Sequence, residues 1–116
     1  MHLEGYGHVA PEGRELVMLA TAWVPLWAFL HSIGRDLIDA KLAVAAVYNE
    51  GARVEDELAS ALADRLQAAL DSGAVAQAVT AMADAAGAPA PLDRLTVAQV
   101  RSFVTFVRAS RGFAVW

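Results

Sequence analysis

The chain contains no cysteine. That excludes a disulfide framework and any thiolate zinc site, and it suits a reducing compartment, so a cytoplasmic protein is expected. Positive charge is scarce: nine lysines and arginines face thirteen aspartates and glutamates, for a formal net charge of −4. Non-specific nucleic-acid binding needs a basic footprint, so no nucleic-acid partner is expected. Reaction motifs are missing too. There is no glycine-rich phosphate loop, no G-x-S-x-G and no H-E-x-x-H. No reaction class and no cofactor follow from the residues, and the reading leans away from an enzyme. The opening segment has an acid at Glu4 and no basic cluster, so it does not read as a signal peptide. One uncharged stretch, Leu16 to Ile33, is as long as the shortest membrane spans. Pro25 interrupts it, His31 and Ser32 lie near its end, and no positive cluster flanks it. Two buried elements meeting at Pro25 are therefore expected, with membrane association through this stretch as a second alternative.

What the chain does have is apolar content. Hydrophobic residues make up 57 % and charged residues 19 % of its 116 positions. Alanine supplies much of the excess, which points to close helix packing. The length suits one domain over residues 1–116, able to build a core without staples. Residues 1–13 carry Gly5, Gly7, Pro11 and Gly13 and read as a flexible or loop-like segment.

The periodicity predicts a mainly α domain of four or five helices. Glu15–Trp23 fits a short helix or a buried strand. Pro25 suits the first turn of a helix that Gly34 stops. Leu37, Ile38, Leu42, Ala45 and Val47 or Tyr48 mark a further helix ending at Gly51. Val54, Leu58, Leu62, Leu66 and Leu70 step by four, with Glu55, Asp56 and Glu57 in the first turn, where the helix dipole favours negative charge. Ser72-Gly73 ends that helix. Residues 74–86 read as an alanine-rich helix stopped by Gly87, followed by an extended connector. Thr96 and Gln99 have the spacing of a capping box. They open a last helix striped by Val97, Val100, Val104 and Val107 and widened by Phe103 and Phe106.

That helix is expected to end near Ser110, with Gly112 left-handed and Phe113 folded back on it. Val115 and Trp116 then continue into the core or pair as an edge strand. A two-stranded element joining this tail to the Leu16–Trp23 segment is the one β feature expected.

Three polar groups invite a functional reading. His2, Glu4, His8 and Glu12 are potential metal donors, but their spacing fits no helix or knuckle pattern, and no metal site is expected. His31 lies on an apolar helix near Asp36 and Asp39, as a histidine oriented by a carboxylate would. Tyr48, Asn49, Glu50 and Gly51 form a turn that exposes a phenol and a carboxylate. A helix cap with a chain reversal is the ordinary use of such residues. His31, Tyr48, Asn49 and Glu50 are the candidate ligand-binding residues, while Trp23, Trp27, Phe113 and Trp116 are the candidate interface residues.

Several short pieces carry a resemblance. Trp23-Val24-Pro25-Leu26-Trp27, Tyr48-Asn49-Glu50-Gly51, Ala61 to Gly73, and Val100-Arg101-Ser102-Phe103 through Phe106, Arg108, Ser110, Gly112-Phe113 and Trp116 stand in order along the chain. Together they resemble a group of small proteins from actinobacteria and their phages. The resemblance implies a compact domain with a structural role for the C-terminal motif, and it implies no activity. That group usually has Gly-Gly where this chain has Arg111-Gly112. Many of its members also carry Cys-x-x-Cys pairs that look like a zinc knuckle, which are missing here, so no metal site carries over.

The function expected from all this is a small non-enzymatic interaction domain, self-associating or binding a partner protein. The rival is a ligand-binding domain or enzyme with a pocket near His31, Tyr48 and Glu50.

Overall fold

In the computed structural model the described residues are 1–7, 10–48, 50–86 and 95–116. The clearest sequence signals fold as expected. Thr96 accepts from the Gln99 N–H while the Gln99 side chain accepts from the Thr96 N–H, a complete capping box. It opens helix α5 (Val97–Ala109), which ends at Ser110. Helix α3 (Asp56–Asp71) buries Leu62 and Leu66 together with Ala59, Ala63 and Ala69, whereas Val54, expected to open its stripe, lies before the helix in a strand. Gly73 reverses the chain at a φ of 84° into helix α4 (Ala74–Ala86). The expected stop at Gly87 and the connector after it lie outside the described residues.

Two helices differ from the expectation. Helix α1 runs over Ala20–Ile33, with Pro25 inside it rather than at its start. An interior proline forfeits a backbone hydrogen bond at a cost of ~3 kcal/mol. Continuing the helix through it places Trp23, Leu26, Trp27 and Leu30 on one buried face, and burying such side chains is worth roughly 1.5–3 kcal/mol each. Packing therefore outweighs the break. Helix α2 is only Ala40–Ala45, because the Asp39 carboxylate accepts the Leu42 N–H at 2.7 Å and starts the helix there. The preceding turn is tied to α3 instead: Arg65 holds the Asp36 carboxylate at both oxygens, 2.5 and 2.7 Å. That guanidinium keeps the Asp36 carboxyl below its ordinary range.

The sheet is larger than expected. Four antiparallel strands are β1 (His2–Gly5), β2 (Glu15–Val17), β3 (Ala52–Val54) and β4 (Phe113–Val115), in spatial order β2-β1-β4-β3. The tail is thus a central strand, not an edge, and it pairs with β1 and β3 rather than with the Leu16 segment. The Glu15–Trp23 stretch is both things considered, strand β2 and then the first turn of α1. Residues 2–5, read as loop, form the other central strand.

The glycines in that N-terminal segment serve close approach rather than flexibility. A Cβ on Gly13 would sit 2.2 Å from the Ala109 carbonyl, and one on Gly5 would sit 1.9 Å from the Gly13 oxygen. The 3-10 turn Pro11–Gly13 can therefore lie directly against the end of α5.

Alternation in the strands sends Leu3, Ala52, Val54, Phe113 and Val115 inward. There they meet an aromatic chain. Trp27 stacks on Trp23 at 5.5 Å, Trp23 meets Phe103 at 5.8 Å, Phe103 meets Phe113 at 5.8 Å, and Phe113 meets Phe106 at 5.7 Å. This chain joins α1, α5 and β4. Gly112, at a φ of 83°, turns Phe113 back onto α5 as the cap pattern requires.

Phe113→Ala should cost about 3–5 kcal/mol in urea unfolding, the range for deleting a buried phenylalanine. A loss below ~1 kcal/mol would mean the tail is not part of the core.

Candidate interaction surface

Trp23, Trp27 and Phe113, read from the sequence as interface residues, are core. All three are at most 2 % exposed, and all belong to the aromatic chain. The buried indoles also have their N–H groups satisfied: Trp23 donates to the Ala46 carbonyl at 2.8 Å and Trp27 to the Ala43 carbonyl at 3.0 Å. These bonds seat α2 and the turn after it on α1. They are unavailable to a partner.

Trp116 is different. Its backbone is fixed, donating to the His2 carbonyl at 2.8 Å and accepting from the His2 N–H at 3.1 Å. Its side chain is half exposed, at 50 %. Its indole N–H has no partner among the described residues. The register explains where the ring goes. Val17 lies opposite His2 on β2, and continuing the β3–β4 register past Ala52↔Val115 puts Gly51 opposite Trp116. Val17, His2, Trp116 and Gly51 therefore share one row on the face away from the helices. With no side chain of its own, Gly51 leaves space for the indole to cross the row. A Cβ there would meet the ring at 2.7 Å.

Gly51 brings the Tyr48–Gly51 turn, flagged for its polar residues, into contact with Trp116. Tyr48 is 59 % exposed and Glu50 is exposed. Asn49 lies outside the described residues. On the other side of the row, Val17 is 70 % exposed and Leu19 follows it, also exposed. Of the exposed large hydrophobic residues, Val17 thus shares the Trp116 row, Leu19 lies two residues past Val17, and Tyr48 lies three residues before Gly51. Tyr6, also exposed, follows the far end of β1. There Arg53 stands 5.5 Å from its ring centroid, and burial pushes its phenol above the ordinary range against the pull of that guanidinium.

The rival cluster is not gathered in the same way. His31 sits in the last turn of α1, partly exposed. Three depressions among the described residues are lined elsewhere: between α3 and α5 by Asp56, Ser60 and Arg108, beside β2 by Glu12, Leu16 and Arg101, and along α4 by Gln77 and Thr80. Of the potential metal donors, His2 bonds Glu15 at 3.0 Å, and His8 lies outside the described residues. Among the described residues no three donors of the metal-binding types converge, and no helix is long and apolar enough to cross a membrane.

The signal missed in the sequence was Gly51. Read as a helix stop, it is the seat of the indole. No protein-family model, no curated protein and no solved structure matches this chain.

Gly51→Ala tests the seat. At a φ of 73° the substitution also strains the backbone, by about 1–2 kcal/mol. In a nitrogen–proton correlation spectrum the Trp116 indole resonance should move while those of Trp23 and Trp27 stay in place. An unmoved Trp116 resonance would show that the ring does not rest on Gly51.

Proposed function

We propose that this protein is a small non-enzymatic interaction domain that binds a partner protein through the apolar end of its sheet, with Trp116 at the centre. The observation that carries the reading is the contrast among the three tryptophans. Two are buried with their N–H groups bonded. The third is half exposed, its N–H has no partner among the described residues, and exposed Val17 shares its row. Isolated exposed apolar residues are ordinary, but a gathered set marks an interaction site. Tryptophan is the residue most often found at the energetic centre of such a contact. Its backbone is anchored in the sheet, so little ordering is left to lose on binding. A partner of suitable chemistry has an apolar notch for the indole and a carbonyl acceptor for its N–H. The C-terminal pieces that resemble the actinobacterial and phage group fit the same picture, as the motif that folds the strand carrying Trp116.

The test is photo-crosslinking in the cells that make the protein. A photoreactive amino acid at position 116 or 48 should give a discrete crosslinked species, and one at position 53, on the same sheet face outside the gathered set, should not. Identical patterns from all three positions, or no product from 116 and 48, would overturn the reading.

A further inference from the structure

A second surface meets the Trp116 end at Val17, and it is made of backbone. Antiparallel pairing alternates which residues of a strand bond to a given neighbour. On β2, the Met18 N–H donates to the Met1 carbonyl, and the Gly5 N–H donates to the Arg14 carbonyl. The even-numbered residues of β2 therefore face β1. The N–H and C=O groups of Glu15 and Val17 face outward, along the free edge of the sheet. The other edge offers less. Ala52 and Val54 face β4, so Arg53 is the one residue of β3 whose backbone groups point out. Little blunts the β2 edge: Glu15–Val17 contains no proline and no lysine. Its one charge, Glu15, is tied to His2.

We infer that this edge pairs with the same edge of a second copy, giving an antiparallel dimer with one continuous eight-stranded sheet. The register follows from the free groups. A two-fold axis through Leu16 sets Glu15 of each copy opposite Val17 of the other, so every outward N–H and C=O of β2 is bonded. An axis through Glu15 would oppose two carboxylates. The side chains beside the edge are self-complementary in the same sense. On the inner face a depression of about 330 Å³ is lined by Leu16, Phe106, Glu12 and Arg101, among others. Neither Glu12 nor Arg101 has an ion-pair partner among the described residues. The two-fold brings the second copy's depression alongside, so Glu12 of one copy can meet Arg101 of the other, twice. Such reciprocity is what an isologous interface requires. The strand is short and the buried area correspondingly small, so the dimer is a reversible one in the micromolar range.

The absence of cysteine makes the test clean. Residues on the axis of such a pair have Cα atoms about 4.5 Å apart, within disulfide range. Under mild oxidation Leu16→Cys should form a covalent dimer far faster than Arg53→Cys. Sedimentation equilibrium of the untagged wild-type chain should give a dimer. Proline is tolerated where a strand N–H faces solvent, so Val17→Pro should keep the fold and raise the dissociation constant roughly tenfold or more through the lost edge bonds. A wild-type chain that stays monomeric at high micromolar concentration, or equal crosslinking at positions 16 and 53, would overturn the inference. Either result would leave the Trp116 reading standing, because that rests on crosslinks from positions 116 and 48.

Discussion

Strand β4 lies between β1 and β3, and Phe113 at its start lies between Phe103 and Phe106. Remove that insertion and the sheet falls into the β1–β2 pair and a lone β3, neither of which would be stable alone in water. Two of the three β4 residues close the core on the helix side, since Phe113 and Val115 are fully buried. The pairing of Leu3 with Val115 joins opposite ends of the chain, so it can form only after the whole intervening loop closes. Local helices such as α3 can form early, and the sheet has to wait. Gly112 is the local device that makes the late step possible, turning the chain from α5 onto the strand path without a Cβ penalty.

Much of the helical framework was legible because its signals are local. The four-residue leucine stride of α3, the Thr96 and Gln99 box and the Gly112–Phe113 return all act within a few residues of one another. The sheet was not legible for the opposite reason. Strands of three and four residues carry too little alternation to be read alone, and their partners lie far away in the sequence. Glycines in residues 1–13 reinforced a loop reading, yet Gly5 and Gly13 are there because backbone passes within a side chain's width of them. Pro25 misled in a similar way. Its local preference for a helix start is overridden by the buried face of Trp23, Leu26, Trp27 and Leu30 on both sides of it.

The candidate site was half legible. Exposed and buried tryptophans look alike in a sequence, and only their partners separate them. Trp23 and Trp27 find carbonyl acceptors on α2 and the turn after it, which lie well along the chain, and so they are spent on the core. Trp116 is held by its backbone bonds to His2, with its ring against Gly51. The turn at Tyr48 drew notice for its phenol and carboxylate, but its contribution to the surface is Gly51, through the space it leaves. Taken together, sheet insertion and surface are one construction: the strand that completes the core also carries the indole out to solvent, fixed to β1 at His2.

The central claim, that β4 is a core strand whose opening requires unfolding of the whole domain, is tested most directly by native-state hydrogen exchange. The Phe113 and Val115 amides bond toward β3, and the Ala114 and Trp116 amides toward β1. All four should exchange with the same opening free energy as the most protected amides of α5, the signature of global unfolding. Exchange of these amides by a local opening, well before α5, would mean that the tail frays from a core able to stand without it, and would contradict the account.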